Sequence, residues 1–178
     1  MAITTGILIF DDAEELDFVG PWEVFGRVRH IVPEDRVVTI APSHEPIRAA
    51  KGMRVIPDHS FADAPALDVL LVPGGIGTRR EVEDAELIDW LRKTGAQCRW
   101  VTSVCTGSLL LHEAGFAKGR RVTTHWGFVA TLRERGAEVL ENVRYGLVVS
   151  GTPKSAADTR ARTALDTVGL AGMDERLP

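Results

Sequence analysis

The chain has 178 residues, 44% of them hydrophobic and 26% charged, with a net charge of −4. That length and balance suit one soluble domain with a real hydrophobic core. The acidic balance gives no electrostatic reason to expect nucleic acid or an anionic membrane as partner, and no apolar stretch approaches the roughly 20 residues that span a bilayer.

Gly6 to Phe10 is a continuous apolar run ending at Asp11 and Asp12. It predicts a buried parallel strand and its exit loop. Gly20-Pro21-Trp22-Glu23-Val24-Phe25 predicts the opening of a helix, with Pro21 in the first turn, where a missing N–H is tolerated. Val37 to Ala41 reads as the next strand, and Ile47 to Phe61 as two or three short extended pieces broken by Gly52, Pro57 and Asp58. Val69 to Val72 is another buried strand, leading into the turn Pro73-Gly74-Gly75. Glu83 to Thr94 places Leu87, Ile88 and Leu91 at helical spacing, with Gly95 as the stop. Trp100 to Val104 is a strand that delivers Cys105, and Gly107 to Glu113 is the helix behind it, closing near Gly115. Arg121 to Thr124 reads as a short strand and Gly127 to Arg135 as a helix capped by Gly136. Extended pieces follow at Glu138 to Val143 and Leu147 to Ser150, then a last helix at Ala156 to Leu170. This alternation argues an α/β fold with a mostly parallel sheet, helices on both faces, and one domain over residues 1–178.

In such a sheet, ligands gather at the carboxyl ends of the strands. Three features fall there: the acidic loop from Asp11 to Asp17, the Pro73-Gly74-Gly75 turn, and Cys105. A cysteine between a strand and a helix sits on an elbow that pushes its sulfur clear of the sheet, and the helix start favours the thiolate. The bland alternative is a buried, inert thiol at a strand end. Glycines after a strand let backbone approach a ligand, or simply make a tight turn. On the residues alone Asp17 reads first as a helix N-cap or loop carboxylate, and Glu14 and Glu15 compete with it for any acid role. The histidines His30, His44, His59, His112 and His125 are scattered, with no pair at metal-ligand spacing. Walker glycines and CxxC pairs are lacking too, so no metal and no cofactor is expected. About 20 Å of extended chain separates Cys98 from Cys105, too far for a disulfide. Free thiols and the lack of a secretory signal at the amino terminus predict a cytoplasmic protein. The tryptophans read as packing residues, with Trp126 a candidate pocket wall.

Val101-Thr102-Ser103-Val104-Cys105-Thr106-Gly107-Ser108, Glu113-Ala114-Gly115 and Gly119 through Trp126 together resemble the ThiJ/PfpI superfamily, a class I glutamine amidotransferase-like group. Within it the resemblance is to the isonitrile hydratase branch, which Leu16-Asp17-Phe18-Val19-Gly20-Pro21 and Val72-Pro73-Gly74-Gly75 also match. The resemblance covers roughly residues 6 to 150. It implies a flavodoxin-like three-layer sandwich, a homodimer, and a small-molecule substrate. It further implies Cys105 as nucleophile, Asp17 as general acid and base, Thr106 as a hydrogen-bonding partner, and the N–H groups of Gly75 and Thr106 as an oxyanion site. His125, Gly74 and Trp126 are secondary candidates, with a packed histidine at a strand end as the alternative for His125. Thr106 stands where related peptidases carry a histidine, which argues against peptidase activity. The segment from Gly146 to Ser155 departs from the family's usual ending. The same domain also forms the sensor half of regulators that continue into a helix-turn-helix module, for which 178 residues leave no room. The implied activity is hydration of isonitriles to N-substituted formamides by a lyase. The alternatives are a glyoxalase or deglycase-like activity on α-oxoaldehydes and a non-enzymatic redox or ligand sensor.

Overall fold

A computed structural model of the chain describes residues 2–140 and 151–167. Its contacts divide into two compact units, Met1–Lys118 and Gly119–Pro178, and each is described by itself.

The first unit is built on a five-stranded sheet in which every pairing is parallel. Strands β1 (Thr4–Leu8), β2 (Arg36–Ala41), β5 (His59–Ser60), β6 (Val69–Val72) and β7 (Trp100–Ser103) take the order β5-β2-β1-β6-β7. Their carboxyl ends lie along one edge of the sheet, as a flavodoxin-like α/β fold requires. Strands β1 and β6 are central, and their side chains are almost fully buried. This accounts for their unbroken apolar runs, because both faces need cover. Ile7, Leu8, Ile9, Leu70 and Val72 form the middle of the core. Strand β1 starts two residues before the apolar run because two carboxylates anchor the preceding amides. Ile3 N–H donates to Asp35 Oδ1 at 2.9 Å, and Thr4 N–H donates to Asp68 Oδ2 at 2.8 Å. The broken stretch after β2 contains an antiparallel pair, β3 (Ile47–Arg48) with β4 (Arg54–Val55), before β5 joins the sheet.

Four helices accompany the sheet: α1 (Glu15–Val28), α2 (Thr78–Glu81), α3 (Ala85–Gly95) and α4 (Gly107–Glu113). Helix α1 opens five residues earlier than its sequence suggests, so Pro21 lies inside the helix rather than in its first turn. Pro21 cannot donate to the carbonyl of Asp17 four residues back. The early start is set by tertiary contacts. Glu14 N–H donates to Gly74 O at 2.9 Å, and Glu15 Oε1 accepts from Lys51 N–H at 2.6 Å. Asp84 caps α3 by accepting from the N–H groups of Glu86 and Leu87, and Leu87, Ile88 and Leu91 turn inward. Gly95 is the last residue of α3 and not a left-handed stop. A Cβ on it would lie 2.8 Å from Phe116 Cε2, so packing accounts for the glycine.

In the second unit, β8 (Arg121–Val122) pairs in parallel with β9 (Glu138–Val139). Between them run a 3-10 turn (Trp126–Phe128) and helix α5 (Val129–Glu134), and Gly136 takes a positive φ of 88°. Helix α6 (Lys154–Thr167) buries Ala157 and Ala161. The extended piece expected at Leu147 to Ser150, residues 141–143 and the final residues of the expected last helix lie outside the described residues.

Leu110 of α4 is fully buried. Truncating it to alanine leaves a cavity beneath the cysteine elbow, and chemical denaturation should show a loss of about 2–5 kcal/mol.

Candidate active site

The loops that follow β1, β6 and β7 meet at the carboxyl edge of three neighbouring strands. Their meeting point is Cys105. It sits between β7 and α4 with a φ of +53°, the left-handed region that a side chain occupies only under constraint. Holding it there costs on the order of 1–3 kcal/mol, which surrounding bonds must offset. Val104 N–H donates to Val72 O at 3.0 Å, Gly107 N–H donates to Val104 O at 3.0 Å, and Ser108 Oγ donates to Cys105 O at 3.1 Å. Gly107 is required on the far side, since a Cβ there would come within 2.7 Å of Pro73 O. Cys105 is half-buried.

The turn after β6 is pressed against this elbow. A Cβ on Gly74 would lie 2.6 Å from Thr106 N and 2.8 Å from Cys105 Cβ. Gly75, with φ of +128°, forms a bridge to Ala13, and a Cβ on it would lie 2.8 Å from Ala13 C. Two amides of the turn are used internally. Gly74 N–H donates to Asp17 Oδ2 at 3.0 Å, and Gly75 N–H donates to Thr106 Oγ1 at 3.0 Å. The Gly75 amide, expected at an oxyanion site, here donates to the Thr106 hydroxyl.

Asp17 lies in the first turn of α1, not at its cap, which is Glu14 and makes no side-chain capping bond. Its carboxylate reaches both the Gly74 amide and the Cys105 thiol. Glu14 and Glu15 are occupied elsewhere. Lys51 Nζ is 2.7 Å from Glu14 Oε2; burial pushes the Glu15 carboxyl up, but the backbone amides of Glu15, Lys51 and Met53 together hold it below its ordinary range. Both therefore tie the β3–β4 hairpin to the start of α1, and Asp17 is the acid at the sulfur. Asp11 and Asp12 are structural too. Arg48 N–H donates to Asp11 Oδ1 at 2.7 Å, and Arg80 Nη1 lies 3.1 Å from Asp12 Oδ2.

The electrostatics reverse one sequence expectation. Burial first, and the Asp17 charge second, push the Cys105 thiol above its ordinary value. Bonds from the Thr106 N–H and hydroxyl to the sulfur pull the other way without prevailing. Burial and the Asp17 carboxylate thus work against the thiolate that the helix start was expected to favour. Cys98 is a different case. Its Sγ donates to Thr94 O at 3.3 Å, and burial with the nearby Asp68 pushes its thiol up to about 11. Both cysteines are free, as their separation along the chain requires.

Sequence reasoning missed Thr78. It is fully buried in α2, and its hydroxyl donates to Gly75 O at 2.8 Å or to Thr106 Oγ1 at 3.1 Å. A four-residue helix carries no periodic signal, so nothing along the chain pointed to it. His125 and Trp126 belong to the second unit. His125 Nδ1 accepts from Gly127 N–H at 3.2 Å and so caps the 3-10 turn. Its ring stands 5.0 Å from that of Trp126, which is largely exposed. Among the described residues, no group of three or more His, Cys, Asp or Glu side chains is arranged to hold a metal, and no helix is long and apolar enough to cross a membrane.

The sequence model of the DJ-1/PfpI family matches residues 5–165. The chain belongs to the DJ-1/PfpI family. It is 36% identical over 173 residues to the isonitrile hydratase of Pseudomonas putida, covering 96% of this chain and 74% of that protein. It is 26% identical over 134 residues to the glutathione-independent glyoxalase DJR-1.2 of Caenorhabditis elegans, covering 74% of this chain and 69% of that one. Among solved structures, a ThiJ/PfpI family protein from Pseudomonas syringae superposes with a TM-score of 0.73 at 27% identity, covering 93% of this chain and 75% of that one. The family's mostly parallel, flavodoxin-like sheet is the one described above.

Replacing Asp17 by asparagine removes the charge that opposes thiolate formation. The rate of Cys105 alkylation by iodoacetamide, followed by peptide mass spectrometry to separate it from Cys98, should then rise at lower pH than in the unmodified protein.

Proposed function

We propose that the protein is an isonitrile hydratase that uses Cys105 as nucleophile and Asp17 as proton carrier. The observation that supports this most is the Asp17 carboxylate at the Cys105 sulfur, with the Thr106 N–H and hydroxyl as further partners of that sulfur. The isonitrile hydratase relative at 36% identity points to the same chemistry.

An isonitrile carbon holds a lone pair, so it accepts a proton and becomes open to a soft nucleophile. A thiol hydrogen-bonded to a carboxylate supplies both partners from one pair. The S–H proton passes to Asp17 and from there to the isonitrile carbon, while the sulfur bonds to that carbon. The product is a thioimidate, R–N=CH–S–Cys105, with every atom of the thiol and the isonitrile retained. Asp17, ionised again, removes a proton from water as the water oxygen adds to the carbon, and passes that proton to the nitrogen. Collapse of the tetrahedral species breaks the carbon–sulfur bond, releases the N-substituted formamide, and returns the proton to sulfur. The raised thiol pKa fits this sequence. A thiol that stays protonated at rest keeps the proton that the carbon needs.

Action on α-oxoaldehydes is the second reading, supported by the glyoxalase relative and by the same cysteine-and-carboxylate pair. Substrate consumption separates the two. Cyclohexyl isocyanide should be converted to its formamide, with methylglyoxal consumed much more slowly. In heavy water the formyl carbon of the product should carry deuterium, because its hydrogen comes from the exchangeable thiol. Cys105→Ala should lower turnover by roughly a thousandfold or more, and Asp17→Asn by roughly a hundredfold or more. Consumption of methylglyoxal alone would overturn the hydratase reading. Consumption of neither substrate, with Cys105 taking up oxygen from dilute peroxide, would favour a sensor.

A further inference from the structure

We infer that Thr78 is a positioning residue: its buried hydroxyl turns the Thr106 hydroxyl away from Gly75 O and toward the sulfur of Cys105. This rests on the catalytic reading of Cys105, but the bonds that carry it are independent of the substrate.

The argument is a count of donors and lone pairs. Gly75 O is offered four donors. They are Thr78 Oγ1 at 2.8 Å, Arg79 Nη1 at 3.1 Å, Thr106 Oγ1 at 3.2 Å and Thr78 N–H at 3.3 Å. A carbonyl oxygen has two lone pairs. The two shortest contacts, from Thr78 and Arg79, fill them and displace the Thr106 hydroxyl. Thr106 Oγ1 itself accepts from Gly75 N–H at 3.0 Å. The Thr78 hydroxyl lies closer to Gly75 O, at 2.8 Å, than to Thr106 Oγ1, at 3.1 Å, so Gly75 O is the acceptor it takes. With that carbonyl filled, the Thr106 proton is left for the sulfur, its alternative acceptor.

Burial makes the device rigid. Thr78 is 0% exposed and Thr106 3% exposed, so no bulk water competes for these hydroxyls. The sulfur is partnered both by the Asp17 carboxylate and by the Thr106 donors. A lost Thr106 bond therefore leaves the repulsion from Asp17 unopposed by that hydroxyl. Thr78 touches no reacting atom and acts through Thr106 alone.

The test is the titration of Cys105, read as the pH dependence of its alkylation by iodoacetamide with peptide mass spectrometry. Thr78→Val keeps the shape and removes the hydroxyl. It should raise the midpoint by roughly one pH unit, the effect of losing one hydrogen bond to a charged group. Thr78→Ser restores the hydroxyl and should return the midpoint to the unmodified value. In a Thr106→Val background, Thr78→Val should add nothing, because the residue through which it acts is gone. An unmoved midpoint in folded Thr78→Val would overturn the inference. So would equal shifts in the valine and serine variants, or a full shift persisting without the Thr106 hydroxyl. Should the valine variant not fold, Thr78→Ala also lacks the hydroxyl and carries the same comparison. None of these measurements needs isonitrile turnover, so failure of the hydratase reading would show separately, as unconsumed cyclohexyl isocyanide beside a shifted titration.

Discussion

A single carboxylate, that of Asp17, receives the amide of Gly74 and the thiol of Cys105. Each of the three groups belongs to a different loop at the carboxyl edge of the sheet. This common acceptor joins the start of α1, the turn after β6 and the elbow after β7, and the Glu14–Gly74 and Gly75–Thr106 bonds hold the same register. The arrangement works because the loops are in near-contact. Gly74 leaves no room for a side chain between the turn and the elbow, so the backbone groups stand within hydrogen-bonding reach. Shape comes first here, and the chemistry follows from it.

The same closeness sets the charge balance at the sulfur. A helix start is often invoked to explain ionised cysteines, yet α4 does not prevail. It is short, and the Thr106 donors it contributes are outweighed by burial and by a carboxylate in direct contact. The strain of a positive φ at Cys105 is offset by backbone and side-chain bonds on both sides of the elbow, not by the cysteine itself.

Acidic residues near the site divide by partner rather than by position along the chain. Glu14 and Glu15 stand within three residues of Asp17, but Lys51 and the hairpin amides claim them. Asp11 and Asp12 are claimed by the Arg48 amide and the Arg80 guanidinium. What remains facing the sulfur is Asp17, because α1 begins early enough to turn that residue toward Gly74. Pro21 does not prevent this, since the contacts at Glu14 and Glu15 hold the first turn before the proline is reached.

The chain's own residues determined the order of strands and helices, the buried runs of β1 and β6, the elbow cysteine, and the glycine turn beside it. Each is a local property: apolar runs need cover on both faces, and small residues stand where backbones approach. The spacing of Cys98 and Cys105 likewise excluded a disulfide before any fold was known. Tertiary structure alone decided which acid meets the sulfur, because Glu14, Glu15 and Asp17 are chemically alike and differ only in what packs against them. It also set the carboxylate and the Thr106 donors around Cys105, turned the Gly75 amide to the Thr106 hydroxyl, and brought Thr78 into the network. Those outcomes depend on distances between loops far apart in sequence, from residue 17 to 74 and from 75 to 106. No pattern along the chain carries such distances.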